Sequence, residues 1–128
     1  MPTARSWLRP RARVVRAAAM NDREERIARN EAISRRINEG IEDSQERVST
    51  EEYVRMVCEC GQTDCERVIA ITIREYEDVR SDPRQFAVAK NHVIPDVERV
   101  LRETDRFVVV QKREGTPERV AEDSDPRS

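Results

Sequence analysis

All three cysteines of this 128-residue chain fall within one eight-residue stretch, CECGQTDC, from Cys58 to Cys65. The segment before them, YVRMV, alternates in the manner of a β-strand. Val54, Met56, Cys58 and Cys60 then share one face, and Tyr53, Arg55, Val57 and Glu59 share the other. The GQTD stretch reads as a turn, and CERVIAIT reads as a return strand. A hairpin with this turn carries Cys65 back beside Cys60. Few local patterns restrict a small chain as strongly as three thiols gathered at one end of a hairpin.

Three thiolates in this arrangement are a ligand set in search of a fourth member. The only histidine, His92, lies in a turn after the short strand QFAVAK. Zinc takes four sulfur or nitrogen ligands in a tetrahedron, so Cys58, Cys60, Cys65 and His92 are the expected metal residues, with zinc as the cofactor. Asp64 or Glu59 is an alternative oxygen ligand in place of His92. The competing reading makes Cys58 and Cys60 buried strand residues, with Cys65 and His92 incidental, because free cysteine packs well in cores. The spacing C-x-C-x4-C is less specific than paired C-x2-C knuckles. If all four residues bind, no coordination position remains for water, and the site is structural.

The surrounding pattern places the hairpin in an α+β domain. NDREERIARNEAISRRINEGIE reads as an N-terminal amphipathic helix, with Asn21 as cap and Glu24 at the capping-box position. Ile33, Ile37 and Ile41 form its narrow apolar stripe, which suits docking on a sheet or a partner. Thr72 and Glu75 form a second capping box, opening a short helix whose inner face holds Ile73, Tyr76 and Val79 or Arg80. Pro83 ends that helix. Asn91 is expected in the left-handed conformation of a tight turn. DVERVLRETDRFVVVQK reads as two strands around a polar turn, with a helix from Pro95 to Arg102 as the alternative for its first half. The fold class is therefore a helix plus a small antiparallel sheet with a short inserted helix, stabilised by zinc.

Composition sets the limits of this domain. Aromatic residues make up 4% of the chain and charged residues 39%, so the core is thin and a metal staple would matter. No apolar run is long enough to cross a membrane. Residues 1–19 carry five arginines and no acid; of the chain's 24 basic residues the remainder holds 19 against 26 acids, a net −7. Nucleic acid is thus unexpected as a partner, except through that basic leader. The leader, 1–20, reads as disordered, with Met1 and Met20 both open as the start. Residues 21–112 read as the domain, and 113–128 as a disordered polar tail. Unpaired thiols without a signal peptide suit the cytoplasm.

Several of these landmarks occur together in one family. NEAISRRINE, CECGQTDC, EYEDVRSDPRQFAV, His92, PDVERV, FVVVQK and DSDPR resemble an uncharacterised family of small actinobacterial proteins. The family usually has glycine where Asn91 stands and an aromatic residue near Ile33. The resemblance covers about Asn30 to Lys112. It implies a cytosolic protein with a shared cysteine motif and supplies no activity. No P-loop, nucleophile elbow or dinucleotide turn is present, so the chain is not expected to be an enzyme. The expected role is a zinc-stabilised interaction or regulatory domain with a protein partner. A thiol redox sensor using Cys58, Cys60 and Cys65 and a nucleic-acid adaptor acting through the leader are the alternatives.

Overall fold

The computed structural model describes residues 22–45 and 48–127. The basic leader, the Asn21 cap and the choice of start lie outside the described residues. The described chain is an α+β arrangement of three helices and two antiparallel sheets. Helix α1 spans Asp22–Asp43, followed by β1 (Tyr53–Val57) and β2 (Val68–Thr72). Helix α2 (Ile73–Arg80) leads to β3 (Gln85–Val88), β4 (Glu98–Glu103), β5 (Val108–Lys112) and α3 (Thr116–Asp123).

Strands β1 and β2 form the hairpin, with Val54 opposite Ile71 and Met56 opposite Ile69. These four side chains are buried, whereas Tyr53 and Val68 are exposed. The second sheet has the order β3-β5-β4. Its central strand β5 is covered on both faces, which explains the unbroken apolar run Phe107–Val110. The segment Pro95–Arg102 is not a helix: residues 95–97 form a turn, β4 begins only at Glu98, and a register shift between Val100 and Arg102 bends its outer end. The two sheets share one core. Met56 and Ile71 from the first pack in the same cluster as Phe86, Phe107 and Val109 from the second.

Cys58–Cys60 forms the seam between the sheets. The Cys58 N–H donates to the Arg67 carbonyl at 2.9 Å, which extends the hairpin. One residue later the Glu59 N–H donates to the Ala87 carbonyl at 2.9 Å, so the chain has moved beside β3. Glu59 is fully buried there. Its Oε1 accepts from the Ala87 N–H at 3.0 Å, and its Oε2 accepts from Asn38 Nδ2 at 2.9 Å.

Helix α2 begins as its capping box requires. The Glu75 N–H donates to Thr72 Oγ1 and the Thr72 N–H to Glu75 Oε1, at 3.0 and 2.9 Å. Tyr76, Val79 and Arg80 are its buried face.

Helix α1 corrects the expected stripe. Ile33 and Ile37 are 52% and 46% exposed, and only Ile41 of the three packs partly on the core. The buried face is Ile27, Glu31, Arg35 and Asn38. Polar bonds with partners remote in sequence choose that face. Arg35 Nη2 donates to the Pro83 carbonyl at 2.6 Å and Nη1 to the Ala121 carbonyl at 3.1 Å. Its guanidinium also lies 3.8 Å from the centre of the Phe86 ring. Asn38 bonds both backbone groups of Val57 at 2.8 Å, completing the free edge of β1.

The segment expected as a disordered tail is also different. Thr116–Asp123 is helix α3, with Pro117 in its first turn and Ala121 buried. Beyond it Asp125 pairs with Arg80. Its inner edge is Pro117, Val120 and Ala121, at helical spacing, of which only Ala121 is buried; an apolar period this short is a weak signal in a charged segment.

Candidate metal centre

The seam brings all four expected ligands together. Cys58 and Cys60 leave the same face of the extended segment, as their spacing of two demands. Cys65 returns on the far side of the turn, where Asp64 adopts φ 64°. His92 enters from the loop after β3. Asn91 is left-handed at φ 69°, and the His92 N–H donates to the Ala89 carbonyl at 3.1 Å to close that turn. The ligand atoms of the four residues all lie within 4.8 Å of one another.

His92 Nδ1 stands 3.7 Å from Cys58 Sγ, 3.5 Å from Cys60 Sγ and 3.4 Å from Cys65 Sγ. A tetrahedron built with Zn–S of about 2.3 Å and Zn–N of about 2.05 Å has an S···N edge of about 3.6 Å. Three thiols are therefore spaced around one ring nitrogen as ligands of a common ion would be. The nitrogen presented is Nδ1.

Backbone N–H groups supply the surrounding shell. The Ala89 N–H donates to Cys58 Sγ at 3.0 Å. Cys60 receives the Gln62 N–H, and Cys65 the Arg67 N–H. Such donors favour thiolate over thiol and fix where each sulfur points. Hydrogen bonding from Cys60 lowers the Cys58 thiol below its ordinary value, against the effect of burial. The neighbouring Cys58 sulfur, with burial added, pushes Cys60 up, and burial pushes Cys65 up. The cluster can lose its first proton readily and resists the next two, because their charge would be crowded and desolvated. A divalent cation supplies the missing positive charge.

Helix α1 is built onto this knuckle. Asn30 Nδ2 donates to the Gly61 carbonyl at 3.2 Å. A Cβ at Gly61 would stand 2.3 Å from Ile27 Cγ2 and 2.9 Å from its Cα. Glycine is required here by the close approach of the helix, whereas the left-handed turn residue is Asp64. Neither alternative oxygen ligand belongs to the cluster. Asp64 is exposed, and Glu59 is engaged with Asn38 and Ala87. Asn30, Asn38 and Glu59 support the site without having been legible as supports; nothing in the sequence marks an asparagine on a charged helix as facing inward.

Compared with known proteins, the chain matches no family model, no curated protein and no solved structure. The reading of the site rests on its own geometry. Among the described residues, no helix is long and apolar enough to cross a membrane.

Proposed function

We propose that Cys58, Cys60, Cys65 and His92 hold one structural zinc ion and that the protein works as a metal-stapled interaction domain rather than as an enzyme. The observation that carries this is the set of three Sγ···Nδ1 separations of 3.4–3.7 Å around His92. Cys58 and Cys60 come from the seam, Cys65 from the hairpin and His92 from the loop that follows β3 of the second sheet. One ion held by these residues would join both sheets. Four protein ligands leave no coordination position for a substrate, which favours binding over catalysis. The three free thiols suit the reducing cytoplasm, and a protein partner is the expected reader of the surface. Elemental analysis of protein purified after metal-replete expression tests the assignment. About one equivalent of zinc per chain is expected. Replacing it with cobalt should produce the intense visible bands of tetrahedral thiolate coordination. A folded protein with under about a tenth of an equivalent would end the metal reading.

A second reading rests on exposure. Cys65 is half-buried at the lip of the cluster, whereas Cys58 and Cys60 are buried. A peroxide could oxidise two of these thiols to a disulfide, be reduced to water, and release the metal. Stoichiometric zinc release by peroxide, reversed by a dithiol and added zinc, would establish a redox sensor. The nucleic-acid alternative depends on the leader, which lies outside the described residues. It predicts DNA binding that disappears when residues 1–19 are removed.

A further inference from the structure

A second constellation lies where the end of the chain crosses α1 and α2. Glu39 and Glu42 of α1 and Glu77 of α2 face a cleft also lined by Asp43, Ile73 and Pro126. Arg127 fills it. Its Nε and Nη2 donate to the two oxygens of Glu39 at 2.5 and 3.0 Å. Its Nη1 and Nη2 donate to the two oxygens of Glu77 at 3.2 and 2.6 Å, and Nη2 also reaches Glu42 at 2.9 Å. Two carboxylates thus grip the planar fork bidentately, a geometry that an ammonium group does not match.

The seat and its occupant are held unequally. Asp125 is anchored on the buried Arg80, so the strap has a firm root. The Arg127 side chain stays 35% exposed. That exposure leaves one side of the guanidinium open to solvent, from which a competing guanidinium can approach the same carboxylates. Among the described residues, the ion pairs of Glu42 and Glu77 are with Arg127, whereas Glu39 also meets Arg80. Withdrawal of Arg127 would leave a three-carboxylate cleft short of cations. Consistent with that crowding, Arg127 holds Glu77 well below the usual carboxylate range, while burial and the neighbouring Glu77 push Glu42 up.

We propose that this cleft is a receptor for an arginine-bearing polypeptide segment and that the chain's own Asp125–Arg127 strap is its resident occupant. A partner presenting an arginine displaces the strap and docks across α1 and α2. The tethered arginine competes at an effective concentration in the millimolar range, so the closed strap screens out weak basic ligands. The cleft is independent of the cysteine cluster, and zinc content should be unchanged in every variant below.

The test uses the full chain and two variants, Arg127→Ala and Arg127→Lys. The probe is the peptide acetyl-Asp-Pro-Arg-Ser, followed by amide NMR shifts. Arg127→Ala should bind it saturably, with shifts at Glu39, Glu42 and Glu77 and a Kd at least about tenfold below that of the unaltered chain. Arg127→Lys should fall between them. The same peptide with citrulline in place of arginine should not bind, and adding Glu77→Gln to Arg127→Ala should weaken binding. Absence of saturation by about 10 mM in a folded Arg127→Ala protein overturns the proposal. So does equal affinity for the altered and unaltered chains, or equal binding of the citrulline peptide. Unfolding of both variants would make the strap an integral part of the fold and overturn it as well.

Discussion

The two ends of helix α1 are attached by different chemistry. Its N-terminal half lies on the cysteine knuckle, where Ile27 crosses Gly61 and Asn30 holds the Gly61 carbonyl. Its C-terminal half is fixed by charge. Arg35 is buried against Phe86, Pro83 and Ala121, and Glu39 meets Arg80 and Arg127. At the knuckle, four residues within one short turn and one loop define the geometry by their own chemistry. At the charged end, each group has meaning only through a partner about 40 to 90 positions away. The first kind of attachment should respond to a chelator, and the second should not.

The largest effect is therefore expected from metal removal. Cys60→Ser, or a strong chelator acting on the unaltered protein, should remove stabilisation on the order of 10 kcal/mol and lower the melting temperature steeply. His92→Ala should cost less, since water can take the fourth position. Thermal unfolding followed with and without chelator measures all three. An unchanged melting curve under chelation would reduce the cysteines to packing residues.

Next in size is the charged end. Arg35→Ala removes a buried guanidinium and leaves the Pro83 and Ala121 carbonyls without its donors. A cost of about 3 to 5 kcal/mol is expected, with α3 released first. Hydrogen exchange should show early loss of protection at Val120–Asp123, while zinc content stays at its original value. Release of zinc by this substitution would merge the two attachments into one cooperative unit.

This contrast also explains what was legible in the sequence. The clustering of Cys58, Cys60, Cys65 and His92 could be read because cysteine and histidine carry their chemistry with them and strand alternation sets the direction of the first two. Capping at Thr72 and Glu75 and the turn at Asn91 are local rules and were equally readable. The inner face of α1 was not. Apolar periodicity assigns inwardness to Ile33 and Ile37, but Glu31, Arg35 and Asn38 are the buried residues. Helix α3 escaped for the same reason. Its buried residue is an alanine, and Arg35 on the Ala121 carbonyl and Arg84 on Glu118 meet it only in the folded chain.

A pH test probes a buried charge beside the knuckle end. Glu31 and Glu98 share one ammonium group, that of Lys112. Burial, opposed by Lys112, raises Glu31 from 4.5 to about 7. The folded protein then holds this proton more tightly than the unfolded chain. The resulting stabilisation is fully present below about pH 4.5 and is lost as pH rises through about 7. In zinc-saturated protein, unaltered stability minus that of Glu31→Gln should fall by about 2 to 3 kcal/mol over that window. A flat difference would mean that Glu31 stays ionised throughout. Gly61→Ala comes next, at about 1 to 3 kcal/mol, because Ile27 must move away from the new methyl group. Its loss should be accompanied by weaker zinc retention, which a zinc-chelator competition assay would measure.

The smallest effect concerns the residues that periodicity favours most. Ile33 and Ile37 would be core positions if the isoleucine stripe docked the helix, and Ile→Ser at either would then cost several kcal/mol. Each is about half exposed, and the bonds that orient the helix come from Glu31, Arg35 and Asn38 on another face. Ile33→Ser and Ile37→Ser should therefore change stability by no more than about 0.5 kcal/mol, as substitutions at the surface do. Ile41→Ser should cost more than either, because Ile41 packs partly on the core. Thermal unfolding of the three variants under one zinc-saturated condition gives the ranking directly. A loss at Ile33 matching that at Ile41 would turn the helix by about a third of its circumference and bring the stripe inward. The polar face would then lose Asn38 from β1, and with it the partner that holds Glu59 between the two seam cysteines.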